Sequence, residues 1–67
     1  MKNNIKVERA RNNITQAKLA ELAKVSRQTI NAIELGKYDP SALLALRLAK
    51  IFEVTVEDIF QLEEGDL

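Results

Sequence analysis

The sequence contains neither cysteine nor histidine. These absences exclude disulfides, thiolate chemistry, zinc sites built on those residues, and every catalytic triad or dyad that needs histidine. The longest apolar run covers only residues 42–46, whereas a membrane span needs about 20 residues. No apolar stretch follows the N-terminal basic residues, so they do not form a secretion signal. We predict a cytoplasmic protein without metal, cofactor or membrane partner, and no small-molecule ligand site is evident.

The length of 67 residues predicts a single domain, residues 1–67, because so short a chain cannot divide its apolar residues between two cores. Hydrophobic residues make up 46% of the chain and charged residues 30%, which is typical of folded rather than disordered proteins. Domains of this size usually need a covalent cross-link, a bound metal or a partner chain to be stable by a wide margin.

The net charge is zero, but the charges are unevenly distributed along the chain. Residues 1–37 carry eight basic and three acidic side chains, a net charge of +5, and residues 38–67 carry two basic and seven acidic ones, a net charge of −5. This division suits a protein that presents one face to a polyanion. On this observation alone, solvated surface charge explains the division equally well.

Five short helical patterns are separated by tight turns, at residues 5–12, 16–23, 27–35, 42–52 and 56–60. Each follows a residue that can cap a helix: Asn4, Thr15, Ser26, Ser41 and Thr55. The second helix is predicted to bury Leu19, Ala20, Leu22 and Ala23. The fourth is apolar nearly all round, which predicts a central helix. The predicted fold is an all-α, compact five-helix domain, with a minor two-stranded pairing of residues 61–63 with residues 2–4.

Residues 16–35 have the spacing of a helix-turn-helix, with a three-residue turn between two capped helices. If Ile30 and Ile33 face inward, Gln28 and Asn31 point away from the core and Arg27 lies at the edge. Arginine can form paired hydrogen bonds with guanine in the major groove, and glutamine with adenine. An exposed helix face is often polar without any function, but the spacing favours DNA recognition by the third helix.

The chain resembles the phage repressor and Cro family of helix-turn-helix transcriptional regulators, in particular its short single-domain bacterial and archaeal members. The resemblance extends over residues 5–62 and depends on the order and spacing of several motifs. These are Ile14-Thr15-Gln16, Leu19-Ala20-Glu21, Val25-Ser26-Arg27-Gln28-Thr29-Ile30, Ile33-Glu34, Gly36-Lys37-Tyr38-Asp39-Pro40-Ser41 and Glu57-Asp58-Ile59-Phe60.

The resemblance implies a five-helix, cytoplasmic protein that binds double-stranded DNA, usually as a homodimer, and reads it with the third helix. It implies that Gln16 and Lys37 contact phosphates, and that Lys24 occupies a turn position where the family usually has glycine. It also suggests an ion pair between Arg9 and Glu34, since Glu34 lies about 40° from buried Ile30 on a helical wheel. The candidate DNA-binding residues are Gln16, Ser26, Arg27, Gln28, Thr29, Asn31 and Lys37.

A homodimer is expected because one short helix reads too few base pairs to select a site, and a palindromic operator doubles the reading. The acidic second half is the less suitable part to face DNA. We therefore expect the dimer interface at Tyr38, Asp39, Pro40 and Val56. The two recognition helices would then lie about 34 Å apart.

Two other functions compete with DNA binding. An enzyme would need a nucleophile with a base, or a metal, and the chain offers only scattered hydroxyls and the carboxylates of Glu63, Glu64 and Asp66. We therefore predict that the protein is not an enzyme. A protein-binding adapter or antitoxin is the remaining alternative, because the same fold serves such roles.

Overall fold

A computed structural model describes the whole chain, residues 1–67. Five helices, a two-stranded sheet and a short 3₁₀ turn at Glu64–Asp66 follow one another with little between them. The predicted five-helix fold is therefore confirmed, although the third helix ends at residue 34 and the fifth at residue 59, one residue before the predicted ends. The elements are β1 (Lys2–Asn3), α1 (Ile5–Asn12), α2 (Gln16–Ala23), α3 (Arg27–Glu34), α4 (Ala42–Phe52), α5 (Val56–Ile59) and β2 (Phe60–Gln61).

Side-chain caps begin four of the five helices. The hydroxyls of Thr15, Ser26, Ser41 and Thr55 each accept a hydrogen bond from the backbone N–H three residues later, at 3.0–3.1 Å. The Asp58 carboxylate also accepts a bond from the Thr55 N–H at 2.9 Å, which completes a capping box. Each cap satisfies an N–H group that the helix itself leaves unpaired, so these polar residues fix where the helices begin.

The predicted cap at Asn4 is wrong. Its side chain makes no capping bond, and instead its Nδ2 donates to the Asp58 carbonyl at 3.0 Å. The Ile5 N–H is met by the side-chain oxygen of Asn3, at 3.3 Å. Asn4 therefore joins the start of the chain to α5, a contact between residues too far apart in sequence for a local pattern to indicate.

Three helices end at a non-glycine residue in the left-handed conformation: Asn13 at φ 54°, Lys24 at φ 62° and Glu53 at φ 57°. Asparagine tolerates this conformation, whereas lysine and glutamate adopt it at a cost. Gly36 has the predicted positive φ, 74°, and follows α3. These residues turn the chain sharply and keep the connections between helices short.

The core lies where the inner faces of all five helices meet. Ile5, Leu19, Ile30, Leu48 and Ile59 are completely buried, one from each helix. Burying a side chain of this size contributes about 1.5–3 kcal/mol, so the core holds the helices together, with α2 packed against both α3 and α4.

One expectation about the core was wrong, and another holds in part, because α4 is central and contacts α1, α2 and α5 but is not buried all round. Leu22 is 45% exposed rather than part of the buried stripe of α2. In α4 the buried face is formed by Leu44, Leu48 and Phe52 at four-residue spacing, with alanines beside them. Leu43 and Leu46 lie on the opposite side and are 59% and 61% exposed, because a domain this small covers only one face of α4.

The chain ends pair as an antiparallel two-stranded sheet, as predicted, but with different bounds. Lys2 is opposite Gln61 and Asn3 is opposite Phe60, whereas residues 61–63 had been expected to pair. Phe60 is buried, and the chain leaves α5 one residue early to place this side chain in the core.

Candidate nucleic-acid interface

Helices α2 and α3 form the helix-turn-helix unit, with Lys24, Val25 and Ser26 as the turn. The Val25 N–H donates to the Ala20 carbonyl at 3.0 Å, which holds the turn against the end of α2. Ala20 and Ala23 are buried between the packed helices. Small side chains at these positions allow α2 and α3 to approach closely.

One face of α3 is buried and the other is open to solvent. Ile30 and Ile33 are buried, as predicted, whereas Arg27, Gln28 and Asn31 are exposed. The exposed residues occupy the first turn and the middle of the helix, so their side chains can reach base edges in a groove.

Ser26 and Thr29 are partly occupied with holding the start of α3. The Ser26 Oγ accepts the capping bond from the Thr29 N–H at 3.1 Å, and the two hydroxyls share a further hydrogen bond at 3.0 Å. That shared bond uses one of the two hydroxyl protons. The second proton can be donated to an outside acceptor such as a phosphate oxygen.

Arg9 and Glu34, the predicted ion pair, are brought together in the structure. The Arg9 Nε lies 2.8 Å from Glu34 Oε2, and Nη2 lies 3.1 Å from Oε1, which is a two-point contact. The Arg9 and Glu34 side chains are 16% and 8% exposed. Hydrogen bonding to Glu34 raises the pKa of Arg9 above its usual value, against the opposing effect of partial burial.

Gln16 connects this ion pair to the exposed face of α3. Its Nε2 donates to Asn31 Oδ1 at 3.1 Å and to Glu34 Oε1 at 3.3 Å. Two of the predicted DNA-binding residues, Gln16 and Asn31, are therefore in direct contact. The spacing of residues along the chain does not indicate this contact.

A groove of about 740 Å³ lies beside this network, between α1, the start of α2 and the start of α3. Its cations include Lys6 and Arg27, and neither forms an ion pair with a carboxylate. The first N–H groups of α2 also lie there without partners inside the helix. A helix N-terminus attracts anions, so the groove suits a phosphate.

Lys6 was missed by the sequence analysis as a site residue. It belongs to the basic half of the chain, but nothing in the sequence distinguishes it from the other N-terminal cations. Only the packing of α1 places it beside Gln16 and Arg27.

Lys37 lies beyond the other end of α3. Its backbone N–H donates to the Ala32 carbonyl at 2.9 Å, so Gly36 and Lys37 fold back against the helix. The Lys37 side chain is exposed. Arg27 and Lys37 thus place positive charge at both ends of the recognition helix.

The four predicted interface residues lie apart from the groove. Tyr38 and Asp39 are exposed, Pro40 is half-buried, and Val56 packs partly against the core from the start of α5.

No group of three or more histidine, cysteine, aspartate or glutamate side chains is placed to hold a metal ion. No helix has both the length and the apolar character needed to cross a membrane.

The geometry is that of a helix-turn-helix domain in which one face of the second helix, α3, is open to solvent. Comparison with known proteins agrees with it. The helix-turn-helix family, of the Cro and C1 type, matches residues 5–59. The chain belongs to this family, which consists of DNA-binding proteins rather than enzymes.

Several relatives match over nearly their whole length. A protein of Methanocaldococcus jannaschii is 56% identical over 66 residues, which cover 98% of this chain and 100% of the relative. The Bacillus subtilis protein YgzD is 53% identical over 64 residues, covering 96% and 97% of the two chains. A protein of Archaeoglobus fulgidus is 45% identical over 67 residues, covering 100% and 94%. All three are named as HTH-type transcriptional regulators.

Proposed function

We propose that the protein is a cytoplasmic, sequence-specific regulator of transcription, and that α3, residues 27–34, enters the major groove of double-stranded DNA. The observation that carries the proposal is the exposed pair Arg27 and Gln28 in the first turn of α3, next to the groove that contains Lys6. The names of its relatives as transcriptional regulators support the same function.

The roles of the site residues divide into base reading and backbone contact. Arg27, Gln28 and Asn31 have exposed polar groups on the open face of α3 and would read bases. Lys6, Lys37 and the hydroxyls of Ser26 and Thr29 would meet phosphates, which position the protein without carrying sequence information.

Selection of bound duplexes from a random pool tests this proposal directly. On the best site, Arg27→Ala or Gln28→Ala should cost about 1–3 kcal/mol and relax the preference at one base position. Lys37→Ala should weaken all sequences alike and reduce the salt slope by about one unit. Lys50→Ala removes an exposed cation from α4 and serves as the control.

The outcome for Gln28 decides the assignment of the recognition helix. If Gln28→Ala leaves both affinity and sequence preference unchanged, α3 does not read DNA in the proposed way. If Lys50→Ala changes the salt slope as much as Lys37→Ala, the two cations act through general attraction and the proposed docking face is wrong.

We further propose that the protein binds a palindromic operator as a homodimer, with Tyr38, Asp39, Pro40 and Val56 in the contact. The exposed Leu43 and Leu46 extend the available apolar surface along α4, and exposed apolar patches commonly mark protein contacts. Val56 lies at the start of α5, which packs against α4.

Sedimentation at micromolar concentration, with and without the selected duplex, tests the dimer. A dimer is expected, and Val56→Asp should convert it into a monomer that binds DNA weakly. Glu57→Asp, at the next residue, keeps the charge and is the control. A wild-type monomer with one chain per DNA site would contradict the proposal.

The same exposed leucines leave one alternative function, that of an adapter or antitoxin that binds another protein. The salt dependence of duplex affinity separates the two functions. A DNA-binding regulator loses affinity steeply as salt is raised, because its cations displace counterions from phosphates. Absence of duplex binding even at low salt would favour the protein-binding alternative.

A further inference from the structure

A continuous line of hydrogen bonds runs from the ion pair to the exposed face of α3. Arg9 holds both oxygens of Glu34, Gln16 donates to Glu34 Oε1 at 3.3 Å, and Gln16 also donates to Asn31 Oδ1 at 3.1 Å. No buried polar side-chain atom in the chain is left without a partner. The line joins the nearly buried carboxylate of Glu34 to the solvent-exposed amide of Asn31.

The chemistry of the Glu34 carboxylate determines which group donates and which accepts in each of these hydrogen bonds. A carboxylate paired with a guanidinium only accepts hydrogen bonds, so Gln16 must turn its NH₂ group, and not its oxygen, towards Glu34. That NH₂ group has two hydrogens, and the second points at Asn31. Asn31 can satisfy a donor only with its side-chain oxygen, so its own NH₂ group is left facing outward.

We propose that Glu34 and Gln16 fix the orientation of the Asn31 amide, so that Asn31 presents a hydrogen-bond donor to an acceptor on DNA. Gln16 is then a positioning residue for the recognition helix rather than a phosphate ligand. This inference rests on the proposed DNA binding of α3.

The same network changes the role that family resemblance gives Gln16. Both of its N–H donors are already engaged within the protein, and a direct contact with a phosphate would have to break one of these bonds. The backbone N–H groups at the start of α2, together with Lys6 and Arg27, supply donors and positive charge to the adjoining groove without that loss.

The acceptor that Asn31 meets can be a base or a phosphate. Purine N7, guanine O6 and thymine O4 are acceptors in the major groove, and phosphate oxygens border it. Replacing purine N7 by carbon, guanine O6 or thymine O4 by hydrogen, or one phosphate at a time by an uncharged methylphosphonate, distinguishes these sources. The wild-type protein should lose about five-fold in affinity at one such position, the value of one hydrogen bond, and Asn31→Ala should lose nothing further there.

A double-mutant cycle tests the positioning role of Gln16. Gln16→Leu should weaken the best site about five-fold and relax the same preference that Asn31→Ala relaxes. In the Asn31→Ala background, Gln16→Leu should have less than about a two-fold effect. Gln61→Leu is the matched control, because Gln61 lies in β2 and donates to the Glu57 carbonyl.

The results that would overturn the inference are distinct from failure of DNA binding. If Gln16→Leu weakens binding equally with and without Asn31, Gln16 contacts DNA itself and the positioning role is wrong. The inference is also wrong if the Asn31 contact depends on the amino group of adenine or cytosine and not on any acceptor.

A measurement on the free protein keeps the orientation testable even if no duplex is bound. In isotope-labelled protein, the side-chain NH₂ hydrogens of Gln16 should exchange with water at least about five-fold more slowly than those of Gln28, which is exposed and has no partner. Glu34→Gln should remove this protection, since an amide at position 34 no longer fixes the direction of the bonds. Equal exchange at Gln16 and Gln28 would refute the orientation independently of DNA.

Discussion

The ion pair between Arg9 and Glu34 connects the first helix to the end of the recognition helix, and its removal should reduce stability strongly. Arg9→Ala removes two bonds to Glu34, at 2.8 and 3.1 Å, and one to the Ile14 carbonyl at 3.3 Å. It leaves the Glu34 side chain, only 8% exposed, without its cation. Breaking one side of a buried pair costs about 3–5 kcal/mol.

The lower end of that range applies here, because Gln16 still donates to Glu34 and the Arg9 side chain is partly open to water. We expect a loss of about 3 kcal/mol in the free energy of unfolding. In a chain of this length each kcal/mol lowers Tm by about 4–8 °C, so Tm should fall by roughly 12–24 °C. Urea titration followed by circular dichroism of the helices measures the free energy directly.

Two further variants distinguish a buried pair from two surface charges. Replacing both partners, Arg9→Met with Glu34→Leu, should cost clearly less than Arg9→Ala alone, because no uncompensated charge remains. Lys18→Ala is the control, since Lys18 and Glu21 form an exposed pair at 3.9 Å that should contribute at most about 0.5 kcal/mol. If Arg9→Ala costs less than about 1 kcal/mol and its effect adds to that of Glu34→Leu, the pair behaves as a surface pair and the reasoning is refuted.

The remaining predictions concern the turn, the helix contact and a cap. Lys24→Gly should raise the free energy of unfolding by about 1 kcal/mol, because lysine adopts φ 62° at a cost that glycine avoids. The change should appear as a higher urea midpoint. A lower midpoint would show that the left-handed turn is unstrained. Ala20→Leu should cost about 1–3 kcal/mol in thermal unfolding by overpacking α2 against α3, and an unchanged Tm would mean that the contact has room. A hydrogen bond from the Thr55 N–H lowers the pKa of Asp58. The Asp58 carboxylate therefore contributes to stability at pH values above its ordinary pKa of about 4. This contribution is lost as the pH falls through the lower pKa that Asp58 has in the folded protein. Asp58→Asn keeps an acceptor but does not titrate, so Tm should fall less steeply with acid, and an identical pH profile would contradict this.

The helices could be predicted from the sequence because their signals are local. A capping hydroxyl acts on an N–H three residues away, and the inward positions of Ile30 and Ile33 follow from helical periodicity alone. The helix-turn-helix was found for the same reason, since its two caps and its turn lie within one short segment.

The features that could not be predicted depend on which elements meet. Leu43 and Leu46 are as apolar as Leu44 and Leu48, and only the position of the neighbouring helices decides which pair is buried. Lys6 gains its place in the groove from the packing of α1 against the helix-turn-helix. The candidate site residues on α3 could be predicted from that helix alone. The hydrogen bonds that connect them involve Arg9 in α1 and Gln16 in α2.

In the proposed mode of DNA binding, stability and recognition share residues in this domain, and that sharing follows from its size. In a chain of 67 residues, the ion pair that fastens α1 to α3 lies within two hydrogen bonds of the exposed amide of Asn31. A change at Glu34 therefore alters both how firmly α3 is held and which end of that amide faces outward. A larger protein could separate these roles between a core and a loop. Here a substitution that weakens folding at this point should also alter which DNA sequence is preferred, whereas an equally destabilising change at Leu48, which is fully buried and has no part in this hydrogen-bond network, should weaken folding alone.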